Sequence, residues 1–136
     1  MPKIEFFEPT KIPTVTHNSL EPRRSKNGHL SIGKSAALKN AEEVWEAHLA
    51  RYTPDFPLVG PLSLKLTLCF DPMERSDRLG QPKTTKPDID NLMKVLGDVM
   101  ERLHWFSVGD EQICKECLIK GWARPEGIYV LLETIE

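Results

Sequence analysis

The residues best suited to chemistry are concentrated in one short segment, Lys86-Pro87-Asp88-Ile89-Asp90-Asn91-Leu92-Met93-Lys94. Pro87 pushes Lys86 toward an extended conformation. While the backbone stays extended, the Asp88 and Asp90 carboxylates, two positions apart, point the same way. An acidic pair on one lip suits a hard cation such as Mg²⁺, which takes oxygen ligands and keeps waters for a substrate phosphate. Lys94, one turn into a following helix, is a point charge placed to meet that phosphate. The same residue types also serve a plain helix start, where Asp and Asn cap amides and complement the dipole. On this segment alone both readings stand. A second acidic pair, Asp110 and Glu111 after Gly109, falls where a helix ends and a strand begins. If that helix and strand pack as neighbours, the returning chain can carry Asp110 toward the Asp88/Asp90 end; otherwise the pair is an ordinary acidic turn.

Cysteine offers a rival chemistry. Cys114 and Cys117 form a C-x-x-C, with His104 ten residues before the first of them, so zinc is an alternative. On a strand, positions three apart face opposite sides, and no second C-x-x-C completes four ligands. There is no P-loop, no G-x-G-x-x-G and no nucleophile elbow. His17, His29 and His48 are isolated in the sequence, and Trp45, Trp105 and Trp122 read as core or interface residues.

These side chains need a scaffold. Residues 3–7 are a short strand candidate, and residues 10–33, rich in Pro, Thr, Ser, Asn, Gly and basic side chains, read as a long loop. Ser35 can cap a helix over 36–51. Residues 63–70 alternate with Leu64, Leu66, Leu68 and Phe70 on one face, which predicts a strand. A polar loop over 71–87 leads to the clearest helix, 90–104, whose apolar stripe is Leu92, Val95, Leu96, Val99, Met100 and Leu103. Lys94, Gly97, Asp98 and Glu101 share a polar stripe roughly opposite. Strands over 112–121 and 127–135 follow, joined through Arg124-Pro125-Glu126-Gly127. The expectation is an α+β domain covering residues 1–136: a mixed β-sheet with two packed helices, in the order β-α-β-α-β-β.

Size and composition agree. A chain of 136 residues, 40% apolar and 28% charged, is near the modal domain size and is neither disordered nor fibrous in type. Apolar stretches as short as 128–132 exclude a membrane-spanning helix. The acid-bearing N-terminus lacks the apolar region of a secretory signal. Three cysteines make no disulfide framework, so the expected location is cytoplasmic. Lys plus Arg number 18 against 20 acids, a net of -2, which weighs against a phosphate-rich partner. The charge is uneven, however. Residues 21–40 hold Arg23, Arg24, Lys26, Lys34 and Lys39 against Glu21 alone, which permits one basic face on an acidic body.

Taken jointly, KPDIDNLMKVLGDVM, the later VGDEQI and Lys120 on the next strand resemble the RusA-type Holliday junction resolvases, a family common in phages and prophages. The matching positions are Asp88, Asp90, Asn91, Leu92, Lys94, Asp98, Asp110, Gln112 and Ile113. IPTVTHNSL, with Asn18, is similar to the family's Pro-rich opening, and LSIGKSAALKNAEE to its first helix entry. The resemblance implies a homodimeric, Mg²⁺-dependent endonuclease of phage or bacterial origin that cuts four-way DNA junctions in recombination and repair. Mn²⁺ is a candidate substitute for Mg²⁺. Asp88, Asp90 and Asp110 would hold the metal, and Lys94 would assist at the scissile phosphate. Arg23, Arg24, Lys26, Lys34, Lys83, Lys86 and Lys120 are candidates for DNA backbone contacts. Two alternatives from other classes are a non-catalytic DNA-binding phage protein keeping this fold and a zinc-stabilised interaction domain built on Cys114 and Cys117.

Overall fold

The computed structural model describes residues 2–15, 20–24, 26, 28 and 30–136. Along the chain come β1 (Lys3–Pro9), β2 (Leu20–Arg24), β3 (Leu30–Lys34), α1 (Ala36–Leu49), β4 (Leu62–Phe70), α2 (Ile89–Arg102), β5 (Ile113–Trp122) and β6 (Gly127–Thr134). The main sheet has four strands in the order β1-β6-β4-β5. β4 pairs with β5 in parallel and with β6 antiparallel, and β6 pairs antiparallel with β1. The parallel pair follows from the connection between its strands: parallel neighbours need a crossover, and α2 is that crossover. The α+β class with a mixed sheet and two helices is what the alternation and periodicity of the sequence predict.

Alternation in β4 puts Leu62, Leu64, Leu66, Leu68 and Phe70 on the buried face of the sheet, beside Ile128, Val130 and Leu132 of β6 and Ile4 and Phe6 of β1. The helices cover that face. α2 contributes Leu92, Val95, Leu96, Val99 and Met100, and α1 contributes Leu38, Trp45 and Leu49. Ser35 caps α1 as expected, its hydroxyl accepting from the Leu38 N–H at 3.0 Å. Trp45 and Trp105 are core residues with no exposed surface. No helix among the described residues is long and apolar enough to cross a membrane.

The expected loop over 10–33 is a finding that differs. Its second half contains β2 and β3, an antiparallel hairpin that forms a separate two-stranded sheet, with Pro22 opposite Ile32. Apolar alternation is limited to Leu30 and Ile32 of β3 and is broken in β2 by Pro22, Arg23 and Arg24, too short a run to mark a half-buried strand. A hairpin that pairs only with itself needs none, so the periodicity is silent there. Asn18, His17 and His29 lie outside the described residues.

Two buried carboxylates tie these layers together. Glu8 accepts from the Tyr52 hydroxyl at 2.7 Å and from Arg51, and lies 2.7 Å from His48 Nδ1. His48, isolated in the sequence, therefore belongs to this cluster. Glu42 of α1 pairs with Lys34 of β3 at 2.8 Å and with Arg102 of α2 at 3.1 Å. Burial pushes both carboxyls up, but the hydrogen bonds and nearby cations outweigh it and hold both below the ordinary glutamate range. A depressed carboxyl contributes stability above its unfolded pKa and loses it as pH falls through the folded value. Glu8→Gln is therefore expected to cost about 2–4 kcal/mol at pH 7. The gap in thermal midpoint from wild type should close as pH falls below the unperturbed 4.5. A gap that is constant from pH 7 to pH 3 would refute the ionised cluster.

Candidate active site

Asp88 stands at the N-terminal boundary of α2 with extended backbone (φ -68°, ψ 135°), and its side chain caps no helix amide. One carboxylate oxygen instead accepts from Lys86 Nζ at 2.8 Å and the other from the buried Asn91 amide at 3.1 Å. The Lys86 hydrogen bond is the main reason its carboxyl is held below the ordinary aspartate range, with Asn91 and the Lys120 charge adding to it. Asp88 thus makes no side-chain cap, while Asp90 in the first turn still complements the helix dipole. Asp90 lies in the first turn of α2 and Lys94 one turn later, both exposed. Neither makes a hydrogen bond or ion pair among the described residues.

The second acidic group is positioned by Gln112. Its amide oxygen accepts from the backbone N–H of Val108 at 2.6 Å and of Gly109 at 3.2 Å, while its amide nitrogen donates to the Leu58 and Gly60 carbonyls at 3.0 Å each. One side chain thus ties the turn before β5 to the loop before β4. Asp110 opens a short 3₁₀ turn, Asp110–Gln112, and its N–H donates to the Glu101 carboxylate at 3.1 Å. Glu101, Asp110 and Glu111 bring carboxylate oxygens within 4.8 Å of one another. A Cβ on Gly109 would fall within 2.6 Å of carboxylate oxygens of both Glu101 and Glu111, so a larger residue there would push them apart. Glu101 is eleven residues along α2 from Asp90, about 16 Å of helix rise. The chain therefore returns Asp110 to the C-terminal half of α2, not to the Asp88/Asp90 end that neighbour packing alone suggests. The reason is direction: Lys120, near the end of β5, bonds the Pro87 carbonyl just before α2, so β5 runs opposite to the helix and begins at its far end.

Between α2 and β5 runs a cleft of about 300 Å³ lined by Asp90, Lys94, Gly97, Asp98, Asp110 and Glu116, with Met93, Ile113 and Leu118 as its apolar wall. Asp90, Lys94 and Asp98 lie four residues apart on one helix face. Glu116 carries no signal in the sequence beyond sharing a strand face with Leu118 two residues on. The donors are carboxylates alone, with neither His nor Cys on the lining, and oxygen donors of this kind suit a hard divalent cation. Cys114 and Cys117 are exposed on β5, and Cys114 Sγ contacts the Gln112 carbonyl at 3.4 Å.

The basic residues divide. Lys26 and Lys86 are exposed, whereas Lys34 pairs with Glu42. Lys83 and Lys120 direct their ammonium groups onto carbonyls of the 85–87 loop. Arg23 and Arg24 lie in β2, but their side chains are outside the described residues.

Comparison with known proteins gives a family and a relative. A family model described as endodeoxyribonuclease RusA matches residues 13–133. A crossover junction endodeoxyribonuclease rusA of Lactococcus phage r1t is 45% identical over 53 residues, 39% of this chain and 39% of the relative. That match therefore spans less than two thirds of the relative's length.

Removing the Lys86 ammonium should release Asp88. In Lys86→Met the Asp88 carboxyl pKa is expected to rise toward the ordinary aspartate value, followed by side-chain carboxyl chemical shifts in an NMR titration. An unmoved titration curve would show that Lys86 does not set it.

Proposed function

Because the chain belongs to the RusA endodeoxyribonuclease family, we propose that it is an endonuclease that resolves four-way DNA junctions by paired symmetric nicks, using Mg²⁺. The observation that carries this reading is one cleft that gathers Asp90, Asp98, Asp110 and Lys94, with Asp90 and Lys94 unengaged by the rest of the described chain. Asp88 and Asp90, from the start of α2, are the carboxylates that would hold the cation; Asp110, a third carboxylate of the cleft, stands with Glu101 and Glu111 toward the far end of the helix. Carboxylate-bound Mg²⁺ supplies a nucleophilic water and stabilises the leaving alkoxide in phosphodiester hydrolysis.

The chain's own groups have distinct tasks. Asn91 and Lys86 fix the Asp88 carboxylate and keep it ionised, which is the form a hard cation requires. Lys94 presents a positive charge on the same face as Asp90, where it meets a phosphate oxygen as negative charge builds. The helix fixes the root of that side chain one turn from Asp90, and its flexible four-carbon stem lets the ammonium reach the phosphate. The openness of the carboxylates to solvent suits a substrate as large as branched DNA. Two symmetric nicks need two sites related by a twofold axis, so the functional species in this reading is a homodimer with one site per subunit.

The test is cleavage of an end-labelled four-way junction with Mg²⁺, with chelator, and with two variants. Asp90→Asn is expected to abolish nicking while junction binding survives or tightens, since a negative charge facing phosphate is lost. Wild-type cleavage by Asp90→Asn would remove Asp90 from the site. Lys94→Ala is expected to slow single-turnover cleavage on the order of a hundredfold or more, with a much smaller change in affinity. A parallel fall in affinity would make Lys94 a docking residue. Intact junctions under every divalent cation, from a folded protein that binds them, would favour a non-catalytic DNA-binding protein with this fold.

A further inference from the structure

Three consecutive backbone carbonyls precede Asp88, and all three accept hydrogen bonds from lysine. Lys120 Nζ donates to the Thr85 carbonyl at 2.6 Å and the Pro87 carbonyl at 2.8 Å. Lys83 Nζ donates to the Lys86 carbonyl and to the Thr85 hydroxyl, each at 2.5 Å. Between them, the two side chains hold the whole 85–87 loop.

Both lysines are in turn fixed to the sheet. Lys120 is a residue of β5, the strand that pairs in parallel with β4. Residues 80–83 run antiparallel to the end of β5: the Gly80 N–H donates to the Trp122 carbonyl at 2.9 Å, Trp122 to Gln81 at 3.0 Å, and Lys83 to Lys120 at 3.2 Å. The Lys83 ammonium lies 4.7 Å from the centre of the Trp122 ring and 5.1 Å from that of Phe70. Burial, then the Lys120 and Arg78 charges, hold Lys83 below the ordinary lysine range. A lysine that meets a DNA phosphate is normally a hydrated charge on a free stem. Lys83 has ring faces and a carbonyl, and Lys120 two carbonyls, where that one has water.

We infer that Lys83 and Lys120 are positioning residues: they clamp the 85–87 loop onto β5 and so set where Asp88 and Asp90 stand, in place of contacting the DNA backbone. The inference rests on the proposed reading of those aspartates as metal-holding carboxylates. It reassigns two of the seven cations that the sequence offers to DNA. A third, Lys86, keeps an exposed ammonium within the clamped segment.

Salt dependence separates positioning from phosphate contact. Each phosphate neutralised by a lysine contributes a slope of about -0.9 to log K against log salt on duplex DNA. Junction binding without divalent cation, across a salt series, and single-turnover cleavage with Mg²⁺ are measured for wild type, Lys120→Met and Lys83→Met. For each variant the expected result is wild-type affinity and salt slope, with cleavage slowed on the order of tenfold to a hundredfold. The Mg²⁺ concentration for half-maximal rate should also rise several-fold, a shift that a general loss of fold would not produce with binding intact. Retained junction binding certifies that a variant is folded, and either lysine alone tests the clamp should the other variant fail to fold. A salt slope reduced by about 0.9 with an unchanged rate at saturating DNA overturns the inference. So does a variant with wild-type rate and Mg²⁺ requirement. Wild-type protein that binds junctions yet never nicks them overturns the metal reading itself, before any variant is compared.

Discussion

Burial of the Leu92, Val95, Leu96, Val99 and Met100 stripe against β4 and β6 fixes the rotation of α2, and every charge on that helix follows from it. Successive residues turn by about 100°, so once the stripe faces the sheet, Asp90, Lys94 and Asp98 turn away from it, and they line the cleft shared with β5. β5 is the outermost strand of the sheet, and its partial cover by α2 leaves a cleft instead of a closed layer. Packing and site are thus one constraint seen from two sides. A one-residue slip of α2 would bury a carboxylate and expose a leucine together, at a cost far above any local gain.

Electrostatics shape how the rest of the molecule supports that cleft. Several of the cations behind the net charge of -2 are engaged within the fold. Lys34 and Arg102 answer the buried Glu42, and Arg51 answers Glu8. Lys83 and Lys120 answer backbone carbonyls. Of the basic residues that a linear reading assigns to a partner, Lys34 and Lys86 pair with carboxylates and Lys83 and Lys120 with backbone carbonyls. A cleft lined by Asp90, Asp98, Asp110 and Glu116 with Lys94 repels a polyanion until a divalent cation enters. In the proposed reading, metal entry and DNA approach are therefore coupled, each lowering the electrostatic cost of the other.

Much of this was legible in the sequence, for reasons that vary by element. β4 alternates Leu64, Leu66, Leu68 and Phe70 because one face is buried, and α2 repeats at three and four because one stripe is. In both, burial writes a period that can be read directly. The hairpin β2–β3 pairs only with itself, so little more than Leu30 and Ile32 marks it and a polar loop is the natural reading. Asp88, Asp90, Lys94 and Asp110 could be picked out by type and spacing, but spacing does not give strand direction, and it is the direction of β5 that sends Asp110 to Glu101. The lysines are ambiguous for another reason. Lysine looks the same in sequence whether its ammonium meets water, phosphate or a carbonyl, and only the path of the 85–87 loop decides between them.

Both ends of the cleft are anchored chiefly by groups other than the aspartates that line it. At one end Lys83 and Lys120 bond the carbonyls before Asp88. At the other, Gln112 bonds the amides of Val108 and Gly109 and the carbonyls of Leu58 and Gly60. Had the aspartates held these turns themselves, by capping or by salt bridges into the sheet, their oxygens would be committed to the fold and any ligand would have to compete with it. Delegating the structural work to lysine and glutamine leaves Asp90 and Asp110 rigidly placed yet chemically open, which is the combination a preorganised site requires. It also accounts for the glutamine two residues after Asp110: a residue with both donor and acceptor can join two loops through amides and carbonyls together, and neither a carboxylate nor an ammonium can do that.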